Sequence, residues 1–168
     1  ANSEIEVSYL EHFIRDYLNF NAERAMAVSK PIKVTITNFE GEEDTDFIIN
    51  PNDESAGVRK VKFTKHIYID DEDFSLNPPP KYFRLKKDGY VRLKNAYIIK
   101  CDDVLLNDDG SVKELLCSYV PESRSSCDTS GIKVKGTIQW VDGESGVDVE
   151  IRRYSALLKD AEYAGQDF

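Results

Sequence analysis

The 168-residue chain sets 31 acidic residues against 22 basic ones for a net charge of −9, with 40% hydrophobic and 32% charged residues. Those proportions fit one soluble domain, or two small ones, large enough to bury a core. No apolar run approaches the roughly 18 residues a membrane helix needs, and the first residues, ANSEIEVSYL, have neither the basic start nor the apolar centre of a signal peptide. They also lack an initiator methionine, which suggests a processed or excised chain.

In chain order, residues 3–20 read as a helix. Ser3 and Glu6 stand at capping-box spacing. Ile5, Tyr9, Phe13 and Tyr17 recur every fourth residue beside a second row, Leu10, Ile14 and Leu18, so the stripe is expected to face a core. Residues 19–21 end the helix, and a linker leads to Pro31. From there the period changes to two. Residues 33–39, 60–69, 90–100, 112–120, 132–141 and 147–154 alternate and are rich in Val, Ile, Tyr and Thr, as strands are. Gly41, Gly89, Gly110 and Gly143, each after an acidic residue, mark turns, and Pro78–Pro80 is a stiff connector. A short helix is expected at 155–162. Regular strands with short connections predict an antiparallel β-barrel or sandwich, which divides the chain into a helical segment, 1–30, and a β region, 31–168.

Charge is segregated along this frame. Residues 40–54 hold seven acids and no base, whereas residues 81–100, KYFRLKKDGYVRLKNAYIIK, hold seven bases and one acid interleaved with aromatics. A three-residue loop at Lys87, Asp88 and Gly89, with Gly89 left-handed, would pair Leu85 with Val91 and Phe83 with Leu93. The other face would then carry Tyr82, Arg84, Lys86, Tyr90, Arg92 and Lys94. Arg84 would oppose Arg92, a repulsion that an intervening phosphate relieves. After three prolines, Arg84 can equally sit on the connector. On pattern alone the stretch reads as well as a solvated strand face as it does as an RNA-binding one.

Other groups point to bland roles. The acids at 40–46 and 70–73 lack calcium-loop spacing and read as solvated loops. His12 and His66 are too far apart in sequence for a metal site or a triad, so no metal is expected. Cys101, Cys117 and Cys127 form no CxxC pair and read as free thiols, the first two as small core residues, which suits a reducing, cytoplasmic compartment. Trp140 is expected in the core, and residues 123–126, SRSS, as a mobile loop.

Read in order, NFNAERAMAV (19–28), KVTITNFEGE (33–42), HIYIDDEDF (66–74), YFRL (82–85), GYVRLKNAYIIK (89–100), KVKGTIQWV (133–141) and VEIRRYSALL (149–158) resemble the C-terminal anticodon-binding region of the glutaminyl-tRNA synthetases, class I enzymes to which the eukaryote-like glutamyl enzymes are related. The likeness spans nearly the whole chain. It implies β-barrels of the ribosomal-protein-L25-like kind after a helical segment, with the barrel region incomplete at the C-terminus and an open edge that a second copy or the tail would cover. It also implies a tRNA(Gln) anticodon loop as partner, alongside the enzyme's own catalytic domain, with no DNA or membrane. By the same resemblance Asn19, Arg24 and Asn52 match positions that contact the anticodon, Lys81 and Arg84 lie on the segment reading its last base, and Arg92 and Lys94 on the strand holding the first. The chain departs from the pattern at Lys81, Phe83 and Lys94, where the family has glutamine, lysine and arginine. The HIGH-like and KMSKS-like motifs of class I active sites do not occur, nor does any glycine-rich phosphate loop. No catalytic residue or cofactor is therefore expected in this chain; ATP would belong to the catalytic domain of a longer enzyme.

Overall fold

A computed structural model describes residues 5–153; the expected capping residue Ser3 and the expected helix at 155–162 lie outside them. Helix α1 (Val7–Asn21) begins after Glu6, which offers no side-chain cap. Among the described residues it is followed by eleven strands: β1 (Pro31–Ile36), β2 (Glu42–Ile48), β3 (Val58–Thr64), β4 (His66–Asp70), β5 (Phe74–Ser75), β6 (Leu85–Lys86), β7 (Tyr90–Leu93), β8 (Ile98–Leu106), β9 (Val112–Tyr119), β10 (Thr137–Ile138) and β11 (Val141–Asp142). Seven form one curled sheet in the order β10-β7-β8-β9-β1-β4-β11, while β2–β3 and β5–β6 make two-stranded ribbons. The fold is mainly β and barrel-like, as expected. Most pairings are antiparallel, but β1–β9, β7–β10 and β5–β6 run parallel.

The two edge strands of the large sheet, β10 and β11, belong to one continuous segment, 137–142. That segment pairs with β7 on one side and β4 on the other, so one short stretch of chain joins the two ends of the sheet. Trp140 lies between the two pairings, fully buried, its Nε1–H donating to the Lys94 carbonyl at 2.9 Å. Phe47 and Phe63 pack against it, Phe63 edge to face at 5.4 Å between centroids, in a core that also holds Val34, Ile36, Leu93 and Leu115. Inward positions alternate as the period-two pattern requires: Ile32, Val34 and Ile36 on β1, Val91 and Leu93 on β7. Cys101 and Cys117 face each other across β8 and β9 in the core, and Cys127 is exposed.

Several sequence expectations are corrected. The acidic stretch at 42–48 is not a loop but strand β2, burying Thr45 and Phe47 on one face. Its outward acids meet the lysines of β3, Asp46 with Lys60 at 2.5 Å and Glu42 with Lys62 at 2.6 Å, so cross-strand charge pairing lets a strand form where composition alone disfavours one. Residues 60–69 divide into β3 and β4 at Lys65, whose carbonyl accepts from the Ile36 N–H. Residues 90–100 also divide, because Lys94–Ala96 form a tight turn with Asn95 at φ 57°. Asparagine tolerates that left-handed backbone, and its side chain donates to the Asp46 carbonyl at 3.1 Å. Residues 132–136 and 147–153 form no strand.

The hydrophobic stripe of α1 does not face a core. No residue of the helix is buried, and Ile5, Tyr9, Leu10, Phe13, Ile14 and Tyr17 are all largely exposed among the described residues. Periodicity identifies which side of a helix is apolar but not what covers it.

Candidate nucleic-acid interface

The residues singled out in the sequence fall into three clusters. The first joins the end of α1 to the turn after β2. Arg24 donates through Nη2 to the Asn19 carbonyl at 3.0 Å and to Asn19 Oδ1 at 3.2 Å, while its N–H bonds to the Ile49 carbonyl at 2.7 Å. Asn52 Nδ2 donates to the same Asn19 carbonyl at 2.6 Å. The last carbonyls of a helix lack intrahelical partners and carry partial negative charge; a guanidinium and two amides serve them here. The third donor is Asn50, nearly fully buried, whose Nδ2 reaches the Phe20 carbonyl at 2.9 Å and whose Oδ1 accepts from the Asn52 N–H. Sequence reasoning passed over Asn50. The only signal was its place two residues before Asn52, the spacing at which an asparagine side chain bonds the backbone ahead of it. Asn19, Arg24 and Asn52 are thus brought together, as a rigid corner rather than as separate loose side chains.

The second cluster lies around Arg84. The expected β6–β7 hairpin is not formed: β6 pairs with β5, β7 pairs with β8, and Arg84 stands on the connector before β6. Of the two placements open in the sequence, the prolines favour this one. Arg84 therefore does not oppose Arg92. Its Nη1 contacts the Glu72 carbonyl and Asp73 Oδ1, both at 3.0 Å. Burial raises the pKa of Asp73, and Arg84 opposes that rise. Burial also raises Tyr82, whose hydroxyl donates to the Glu72 carbonyl. Lys81 is exposed in a left-handed turn at φ 65° and has no hydrogen bond or ion pair from its side chain among the described residues. Phe83 is half exposed, neither core nor stacked, with Lys135 Nζ 5.0 Å above its ring. Asp88, not Gly89, adopts the left-handed conformation at the turn that follows.

The third cluster is carried by β7 and the turn that follows it: Val91 and Leu93 on the strand are buried, Arg92 between them faces outward as the alternation predicts, and Lys94, the first residue of the turn, is exposed. Lys94 is fixed through its backbone, its N–H to the Ile138 carbonyl and its carbonyl to Trp140, so an exposed ammonium stands on a rigid base. Arg92 is turned toward residues 121–130: Nη1 donates to the Ser123 carbonyl at 2.7 Å and Nη2 meets the Asp128 carboxylate. The SRSS segment, expected to be mobile, is anchored. Ser123 is fully buried, Arg124 bonds Glu43 at 2.7 Å, and Ser125 bonds the Ala96 carbonyl through both N–H and hydroxyl. Glu43 also accepts from Tyr97, whose hydroxyl is pushed up to about 12, first by burial and then by this bond to a carboxylate.

Arg24, Arg84 and Arg92 each have their own partners, and no hydrogen bond or ion pair links one cluster to another among the described residues. The three arginines are thus anchored at three separate stations. Three of the 70–73 acids, expected as a solvated loop, have partners: Asp73 pairs with Arg84, Asp71 with Lys30 at 3.5 Å, and Asp70 accepts from the N–H and hydroxyl of Ser29 on the linker at 2.8 and 2.9 Å.

Comparison with known proteins matches residues 22–120 to the family described as class I tRNA synthetases (E and Q), anticodon-binding domain. Over 160 residues, 94% of this chain, it is 52% identical to a glutamine–tRNA ligase of Rhodopirellula baltica. It is 48% identical over 162 residues, 95% of the chain, to the glutamine–tRNA ligase of Clostridium perfringens, and 45% identical over 170 residues, 99% of the chain, to that of Clostridium kluyveri. The matches cover 27%, 29% and 31% of those relatives, so the chain spans less than a third of their length. An anchored set of cations on a mainly β barrel, a family match over most of the chain and relatives at this identity agree: the chain belongs to the anticodon-binding domain family of the class I glutamyl- and glutaminyl-tRNA synthetases.

Proposed function

We propose that this chain recognises the anticodon loop of tRNA(Gln) for a glutamine–tRNA ligase whose ATP-dependent chemistry resides in a separate catalytic domain, in the cytoplasm. The observation that carries the reading is 52% identity to a glutamine–tRNA ligase over 94% of the chain. The geometry supports it. Loop nucleotides are unpaired and can present their Watson–Crick edges, which a duplex hides. Arginine matches such an edge with two hydrogen bonds, worth about 1–3 kcal/mol of discrimination. Guanidinium groups held at Arg24, Arg84 and Arg92 suit that task, and Lys81 and Lys94 suit phosphates as exposed point charges. The acidic remainder of the chain repels RNA only at short range, since charges beyond about 10 Å are screened at moderate salt.

Titration of the 168-residue chain with a labelled tRNA(Gln) anticodon stem-loop tests this. Binding should weaken with salt, log affinity falling by about 0.7 per phosphate contact for each unit of log salt. Arg84→Ala or Arg92→Ala should weaken it about tenfold or more, Lys60→Ala and Lys113→Ala far less. Equal losses at all four positions would refute base readout. Preference for a tRNA(Glu) stem-loop would move the assignment to a glutamyl enzyme. Indifference between the anticodon loop and an unrelated hairpin would leave a barrel that binds another RNA or a protein.

A further inference from the structure

Arg92 is held from one side by a single loop. Ser123 contributes its carbonyl at 2.7 Å, Ser125 its hydroxyl oxygen at 3.3 Å and Asp128 its Oδ2. The loop is fastened before it fastens anything. Buried Ser123 Oγ accepts from the Ile98 N–H and donates to the Val120 carbonyl, both at 2.7 Å. Arg124 ties to Glu43, Ser125 to Ala96, and the Thr129 N–H to the Glu122 carbonyl at 2.8 Å. Asp128 spends its other oxygen, Oδ1, on the Ser130 N–H and hydroxyl at 2.8 and 2.7 Å, so the oxygen facing Arg92 cannot swing away without breaking both bonds. The paired side chains keep only 20% and 27% of their exposure.

This arrangement separates two properties of a cation. Attraction to any phosphate follows net charge, and a paired arginine has little to offer. Reading a base edge follows the orientation of a planar fork, and an arginine fixed through two of its nitrogens still has N–H groups to present. We propose that Asp128 is a positioning residue for Arg92, making the 121–130 loop a specificity element of the RNA interface: it orients the guanidinium toward a base edge and cancels its pull on passing phosphates. The inference rests on the reading of Arg92 as an anticodon contact.

The test compares two hairpins of equal length, the tRNA(Gln) anticodon stem-loop and an unrelated sequence, across salt concentrations with the 168-residue chain. Asp128→Asn keeps an acceptor for Ser130 but removes the charge. For this variant the unrelated hairpin should bind more tightly, with a salt slope steeper by about 0.7. The ratio of cognate to unrelated affinity should fall about fivefold or more as orientation is lost. Asp128→Glu should recover part of that ratio, a rescue that a purely structural role in the loop would not give. Ser125→Ala, which deletes the longest of the three contacts, should shift the ratio in the same direction but less. Asp128→Asn added to Arg92→Lys should cost no further discrimination, since the fork it orients is already gone. If the unmodified chain discriminates and the Asn variant discriminates equally with an unchanged slope, the role of Asp128 is overturned and the anticodon reading stands. If the unmodified chain does not discriminate at all, both fall.

Discussion

Helix α1 and the curled sheet carry the same kind of apolar pattern and meet opposite fates. On β1 and β7 every inward residue is fully or nearly fully buried; on α1 the two apolar rows stay largely exposed among the described residues. The sheet curls so that one segment, 137–142, carries both of its edge strands, and the β2–β3 ribbon adds Phe47 and Phe63 to the same core, so its inner face is covered. Among the described residues nothing covers the helix stripe in this way. The helix is attached at its last turn, through Asn50, Asn52 and Arg24, and by polar bonds rather than by its stripe. Folding stability of the chain should therefore reside in the barrel, and the helix should report on attachment more than on burial.

The contrast can be broken most directly inside the barrel. Phe63 is fully buried against Phe39, Tyr97, Tyr119 and Trp140. Phe63→Ala should cost about 3–5 kcal/mol, the usual range for emptying such a site, read as a shift in the urea midpoint at unchanged slope. A loss under about 1 kcal/mol would mean that this core is loosely packed and that the barrel is not the stable part.

Gly136 sharpens the link between the barrel and the candidate interface. A Cβ placed there would lie 1.9 Å from the Phe83 carbonyl oxygen, so the connector bearing Arg84 packs directly on backbone. Gly136→Ala should destabilise by about 1–3 kcal/mol through overpacking and push the connector away from β7. If stem-loop binding falls in Gly136→Ala by no more than its stability loss explains, the spacing between Arg84 and Arg92 is immaterial to recognition.

Asp70 tests how the helical segment is held to the barrel. Burial pushes its carboxyl up, but the Ser29 N–H and hydroxyl, together with further hydrogen bonds from Asp71 and Glu72, outweigh burial and hold it at about 2, below the ordinary 3.8. A carboxyl depressed in the folded state adds stability that is present above its unfolded pKa and lost as pH falls through its folded one. That contribution should be complete above pH 3.8 and fade toward pH 2. Asp70→Asn should flatten this part of the acid unfolding curve; an identical curve in the variant would show that the Ser29 contact does not couple linker to barrel.

Much of this was legible in the sequence because period two is a strong signal where one face is buried: β1, β7 and β9 fall where the alternation places them. It failed at β2, where acids hide a strand until their lysine partners on β3 are known, and at residues 94–96 and 65, where a turn made without glycine or proline interrupts an apolar run. The candidate interface was legible as residue types and not as geometry. Arg92 stands on the outer face of β7 as alternation requires, with Lys94 in the turn just after it, but Asp128, Asp73 and Asn50 enter through contacts 36, 11 and 30 residues away along the chain, and no local pattern encodes such pairings.

The smallest expected effect carries the comparison furthest. Phe13 is 55% exposed, its ring edge-on to Tyr9 at 4.9 Å, one turn away on the same helix. By type and position it matches a core aromatic; by surroundings it is a surface residue whose main contact is local. Phe13→Ala removes that local pair, worth a few tenths of a kcal/mol on a helix, and improves helix propensity by a similar amount. The two should nearly cancel, leaving the urea midpoint of the 168-residue chain within about 0.5 kcal/mol of the unmodified one. Set beside the expected loss at Phe63, the near-silence of Phe13 would separate an apolar residue that folds the chain from one that is only displayed by it. A loss approaching that of Phe63 would instead mean that the stripe is covered in solution, and the division between helix and barrel would have to be redrawn.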